Sequence, residues 1–190
     1  MLKLKVTLRT LAAAGGIAAV ALAGLPALAS ASTAAPSVTG PEAITGTVHG
    51  KAALANAPVI PLKLAGVVVA TSKVNLGGGG SPHKGATKTL KTSEGNLTVM
   101  VTAKPQSTQS FNPKTCAESF AQYIVVSVVG GKSTGSFAGA SGPGAVQIAF
   151  HAIAPRFKSG SHKGQCNPNG QPGPKGAVAT FLASVVLTTK

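Results

Sequence analysis

Along this chain apolar and polar positions alternate with a period of two, and no stretch beyond the first 30 residues carries a convincing apolar stripe at helical spacing. Leu97, Val99 and Val101 alternate with Thr98, Met100 and Thr102, and Val146, Ile148 and Phe150 alternate with Gln147, Ala149 and His151. That period is the signature of a strand with one face in a core. Three further runs, Val67 to Val74, Phe120 to Val129 and Ala179 to Thr188, are rich in β-branched residues and apolar on both faces in places. Such runs predict strands that are central or covered on both sides. Ile44 to His49 and Leu54 to Leu64 complete a set of seven or eight.

Between these runs lie segments crowded with glycine, proline and polar residues: Gly77 to Gly85, Lys104 to Lys114, Gly130 to Gly144 and Pro155 to Gly176. Short strands with such connections predict an all-β domain, an antiparallel barrel or sandwich over residues 43–190. Helix is a minor component of it. Residues 30–42 are mostly Ser, Thr, Ala and Pro, and read as a flexible leader.

The first 29 residues follow another grammar. Lys3, Lys5 and Arg9 precede an alanine-rich apolar stretch from about Leu11 to Leu25, and Ala27-Leu28-Ala29 supplies the small residues that a signal peptidase reads. The stretch is shorter than the roughly 20 residues needed to span a bilayer as a helix. It therefore predicts a helical Sec-type signal peptide rather than a permanent membrane anchor, cleaved between Ala29 and Ser30, with Ala29-Ser30-Ala31 as a second frame. Localisation is then secreted or extracellular. No cysteine stands near the site and Arg9 has no twin, which argues against the lipoprotein and twin-arginine routes.

Charge sharpens the list of roles. The chain has 17 basic residues, three glutamates and no aspartate, for a net charge of +14. Loss of Lys3, Lys5 and Arg9 with the signal leaves 14 basic residues against Glu42, Glu94 and Glu118, a net +11. The lysines are dispersed, a pattern that keeps a surface solvated and attracts anionic polymers diffusely. One arginine remains, Arg156, beside one tyrosine, Tyr123, and no tryptophan, which speaks against specific nucleic-acid recognition.

Two cysteines in an exported chain most often pair with each other; the alternatives are a metal site, poorly served by two cysteines without neighbouring histidines, and a reactive thiol, for which nothing supplies activation. A Cys116–Cys166 bridge closes a loop of about 50 residues, for which chain entropy gives about 4 kcal/mol.

Other motifs fare less well against plainer readings. Gly131-Lys132-Ser133 resembles the end of a phosphate loop, but Val126 stands where that motif needs glycine, and Gly135 to Gly139 is a poor helix start. The run Gly77 to Gly80 reads as a loose loop. His83-Lys84-Gly85 and His162-Lys163-Gly164 echo one another without a carboxylate at ligand spacing, so no metal and no cofactor is expected. His151 and His49 sit in strands and face either solvent or a barrel interior; with Tyr123 they are the candidate ligand-facing residues. A hydrolytic triad or carboxylate pair is poorly supplied by three scattered glutamates. No catalytic residue is assigned.

The segment Gly135-Ser136-Phe137-Ala138-Gly139-Ala140-Ser141-Gly142-Pro143-Gly144, after the strand Tyr123 to Val129, resembles the Gly-x-Phe-Ala-Gly-Ala-(Ser/Thr)-Gly-x-Gly turn of allene oxide cyclase-like and dirigent-like β-barrels. Gly135, Phe137, Gly139, Gly142 and Gly144 carry the likeness. The wider pattern is similar to small exported actinobacterial proteins of unknown function, which place one cysteine before that strand and another in a later loop. The resemblance spans roughly residues 96–190 and implies a barrel hairpin. It carries no active-site residue over, because dirigent-like activity is associated with aspartates and this chain has none.

These readings converge on a secreted, disulfide-bridged binding module that takes an apolar small molecule in the barrel or an anionic envelope polymer on the basic surface. The alternatives are a cofactor-free barrel enzyme and a structural cell-surface protein. A lined cavity of a few hundred Å³ would favour small-molecule binding or catalysis, and a filled interior surface binding or structure.

Overall fold

The computed structural model of the protein describes residues 37–76 and 82–189. The signal segment and the run Gly77 to Gly80 lie outside the described residues.

Nine strands follow in order: β1 (Val38–His49), β2 (Val59–Gly66), β3 (Ala70–Asn75), β4 (Thr87–Thr92), β5 (Gly95–Val101), β6 (Gln106–Asn112), β7 (Ala117–Val128), β8 (Gly142–Ile153) and β9 (Val178–Thr189). All pairings are antiparallel, in the sheet order β5-β4-β3-β2-β1-β9-β8-β7-β6. A further pairing, Val99↔Val128 through Val101↔Val126, joins β5 to β7. It closes eight strands into a barrel. The ninth, β6, lies on the same edge of β7, alongside its first half from Gln106↔Tyr123 to Asn112↔Ala117. The sheet thereby runs on past the barrel wall.

Alternation decides which side chains enter the barrel. On β1 the inward series is Glu42, Ile44, Gly46 and Val48; on β9 it is Ala179, Phe181, Ala183, Val185 and Leu187, and the two series are partners in the ladder. Ile60, Leu62 and Leu64 of β2 are buried, as are Leu97 and Val101 of β5 and Ile124, Val126 and Val128 of β7. The barrel of the sequence reading is present, closed rather than a sandwich.

Several boundaries differ from the sequence pattern. β1 begins at Val38, inside the segment read as a leader, because β9 offers it a full ladder from Val38↔Thr189 to His49↔Val178. Pro41 is tolerated there since β2 pairing starts only at Glu42. The segment Lys104 to Lys114 holds β6, whose seven residues are all exposed; a strand without an apolar face leaves no periodic mark. β4 escaped notice for the same reason, with Leu90 as its lone apolar residue. The run Val67 to Val74 is broken between Gly66 and Ala70, the segment from Leu54 becomes a strand only at Val59, and Gly142 to Gly144 open β8 rather than ending a turn.

The Cys116–Cys166 bridge is formed, with the Cα atoms 5.2 Å apart. It ties the start of β7 to the long β8–β9 connection. Arg156 donates from Nη1 to the Gly164 carbonyl at 2.6 Å and from Nη2 to the Lys114 carbonyl at 2.8 Å, bracing the same junction.

Candidate functional site

One end of the barrel is plugged by the β7–β8 connection, residues 129–141. Two 3-10 turns, Gly130–Lys132 and Gly135–Phe137, fold it inward so that Phe137 and Ala140 are fully buried against the core. Glycine is required at two of its positions. Gly135 has φ +62° and a Cβ there would sit 2.2 Å from the Glu94 carbonyl oxygen; Gly142 has φ +143° and its Cβ would sit 1.7 Å from that of Val186. Gly139 also takes positive φ, whereas Gly144 packs against Val185. Gly131-Lys132-Ser133 belongs to this plug: Ser133 Oγ accepts from the Thr98 N–H at 3.1 Å and donates to the Val129 carbonyl at 3.1 Å. Its serine is therefore used up in holding the turn to β5.

Beside the plug lies Glu42, an inward carboxylate with no exposed surface. Its Oε2 accepts from the Val68 N–H at 2.9 Å, and Oε1 has no hydrogen-bond partner. Burial pushes the carboxyl above the ordinary value of 4.5, and the backbone N–H groups of Val68 and Val67 only partly oppose it. The carboxylate pins the Val67–Val69 corner between β2 and β3 onto β1.

From mid-barrel toward the other end the interior is hollow. A cavity of about 310 Å³ is walled by Leu97, Val99 and Val101 of β5, Ile124 and Val126 of β7, Val146 and Ile148 of β8, and Phe181, Ala183 and Val185 of β9. The hollow follows from side-chain size. Valine is the commonest residue at this level, with Ala183 beside it, while Phe137, Leu62, Leu64 and Leu187 belong to the tightly packed core. An eight-stranded barrel is just wide enough for its own side chains or for one small ligand.

The opening falls where the wall is weakest. β3 and β4 pair through one position, Ser72↔Thr92, and Lys73 and Asn75 of β3 with Lys88 and Thr89 of β4 line the cavity there, next to Pro82. Lys88 is the inward partner of Val99 in the ladder. Among the described residues these two lysines are the only ionisable groups lining the cavity.

The three residues singled out from sequence lie elsewhere. His49, Tyr123 and His151 are exposed and occupy outward positions of β1, β7 and β8; none lines the barrel cavity. The strand period left their side open, and the ladder settles it: their neighbours Val48, Ile124 and Ala152 take the inward places. Tyr123 Oη accepts from Gln147 Nε2 at 3.3 Å, and His151 Nδ1 lies 3.1 Å from Ser119 Oγ. His151 does edge a second hollow of about 240 Å³ with Phe120, Phe150 and residues of β6. No acid orients that histidine, since Glu118 points to the opposite face of β7 from Ser119, so the pair lacks the third member of a relay. His162 stacks near Phe157, with ring centroids 5.7 Å apart, and shares a hydrogen bond with Gln165 within the β8–β9 connection.

What sequence reading missed is thus the cavity rim. Lys88 sits in β4, a strand too polar to stand out, whereas Lys73 lies within the run Val67 to Val74 that the pattern marks as strand, and only closure of the barrel brings the two together. Comparisons of the chain with protein-family models, with curated proteins and with solved structures found no match.

Proposed function

We propose that this protein is a binding module whose barrel takes a small apolar molecule bearing an anionic group. The observation that carries this reading is the cavity of about 310 Å³, lined by aliphatic side chains and opening beside Lys73 and Lys88. Its size lies at the low end of the range typical of small-molecule sites, and its chemistry has the usual form, an apolar lining with a few placed polar groups. The apolar part of a ligand would displace poorly held water from the lining, and its anionic end would remain at the rim near two ammonium groups. No carboxylate lines the cavity among the described residues, so the site is better equipped to hold a molecule than to move protons on it. The disulfide supports the further reading that the molecule works outside the cell, after removal of residues 1–29.

Binding of decanoate and of decanol, followed by calorimetry, tests this. Both should bind with a negative heat-capacity change, and Ala183→Phe, which fills the cavity from β9, should weaken both at least tenfold. Lys88→Ala should weaken decanoate by up to about fivefold and leave decanol unchanged, the size of effect expected for a solvent-exposed ion pair. Equal binding by wild type and Ala183→Phe would remove the cavity from consideration.

A specific observation favours an additional role for the outer surface. Lys63, Lys73 and Lys91 share the outward face of β2, β3 and β4, with no acid among the outward residues of those strands. The register beside Ser72↔Thr92 sets Lys73 next to Lys91. Such a face suits an anionic envelope polymer, held by long-range attraction.

A further inference from the structure

The opposite wall of the barrel has another character. The outward positions of β7, β8, β9 and β1 hold not one lysine, arginine, aspartate or glutamate, although the chain carries a net charge of +14. Their only histidines, His151 and His49, lie toward one end. In their place stand Tyr123 at 47% exposure, Val125 at 51%, Leu182 at 45% and Val186 at 44%. The ladder makes these a single patch: Tyr123↔Gln147↔Leu182↔Thr45 and Val125↔Ala145↔Ser184↔Ala43 are consecutive outward rows across the four strands. The sequence pattern points the same way, since the runs in β7 and β9 are apolar on both faces, as strands covered on both sides are. Among the described residues only their inner faces are covered.

From these observations we infer that this wall is a self-association surface, and that a second copy of the chain packs β7-β8-β9-β1 against its own β7-β8-β9-β1. Charge selects that occupant. Pairing the lysine-bearing faces of two copies would appose like charges, whereas this wall lets two strongly basic molecules meet without doing so and leaves both basic faces of β2, β3 and β4 pointing outward. Area agrees. Each of the four strands is 12 residues long, so at about 3.3 Å per residue and 4.8 Å per strand the wall spans roughly 760 Å² along the sheet. A stable interface buries about 800 Å² per partner. A two-fold arrangement satisfies the requirement that one patch be complementary to itself. The inference does not depend on what the cavity holds.

The test is the mass in solution of the purified protein, its N-terminus defined by mass spectrometry, measured by sedimentation across the micromolar range. The wild type should sediment as a dimer that is not weakened by added salt, because no charge pair holds it together. Val125→Lys with Leu182→Lys should weaken the dimer by about a hundredfold or more, while Lys63→Glu on the opposite wall leaves it intact. Val125→Thr with Leu182→Thr keeps strand propensity and should shift the equilibrium in the same direction, which guards against misfolding of the lysine variant. Decanoate binding should be the same in monomer and dimer. A monomeric wild type at the highest concentration overturns the inference, as does a dimer that survives the lysine pair. Binding of a monomeric wild type to neutral phosphatidylcholine vesicles would overturn it too, and assign the wall to a lipid surface.

Discussion

Glu42 shows how much a single residue can weigh in a barrel of this kind. Its carboxyl is buried beside the plug with one oxygen unpartnered, and burial raises its pKa above 4.5. The unfolded chain therefore releases this proton at lower pH than the folded one. Glu42 then contributes full stability below about pH 4.5, and that contribution is lost as pH rises through the higher folded value. Urea titrations at pH 4 and pH 7 should find the wild type losing stability over this interval relative to Glu42→Gln, which has no charge to bury. A constant difference between the two proteins would mean that water or chain movement solvates the carboxylate. Phe137 makes the converse case, since it is fully buried and apolar. Phe137→Ala should cost about 3–5 kcal/mol of unfolding free energy, measured by the same titrations.

At the level of elements, the weakest and strongest seams of the barrel are both informative. The β1–β9 ladder runs through all twelve residues of each strand, whereas the β3–β4 seam has one paired position. Amide exchange should therefore be slowest in β1 and β9 and fastest along Lys73 to Asn75 and Thr87 to Lys91, with a bound ligand slowing the latter pair. At the other edge, β6 is exposed along its length and held by β7 alone. The Cys116–Cys166 bridge anchors β7 just where β6 turns into it. Replacing both cysteines by serine should cost up to about 4 kcal/mol, and non-reducing peptide maps of exported protein should recover residues 116 and 166 in one linked species.

The molecule as a whole has two unlike walls around one hollow. Among the described residues its lysines belong to β2, β3, β4 and the connecting segments, and the wall from β7 to β1 has none facing outward. Attraction to an anionic polymer should accordingly be steep in salt, as the Debye length falls from about 10 Å at 0.1 M to about 3 Å at 1 M. Ligand uptake by the cavity should change little over the same range. Retention on an immobilised polyanion that persists at 1 M salt would contradict diffuse lysine attraction. If export proceeds as the first 29 residues predict, mass spectrometry of secreted protein should find Ser30 or Ser32 at the N-terminus; a retained Met1 would contradict it.

Strand content, the pairing of the two cysteines and the turn at Gly135 to Gly144 could be read from sequence, because each leaves a local mark: a period of two, an even cysteine count, glycines where the chain must reverse. Long, half-apolar strands such as β5, β8 and β9 were legible for that reason. β4 and β6 were not, as their polar residues acquire strand geometry only from a neighbour's unpaired edge. Nor was the site. Which of Lys88, His49, Tyr123 or His151 faces the interior depends on the phase of each strand in a closed ring, and one residue of shift would exchange inside for outside; Lys73, outward on β3, reaches the cavity at the open β3–β4 seam. Closure through Val99↔Val128 and Val101↔Val126 is a contact between distant segments. It alone turns seven patterned runs and the unpatterned β4 into a barrel with a hollow, a basic wall and an uncharged one.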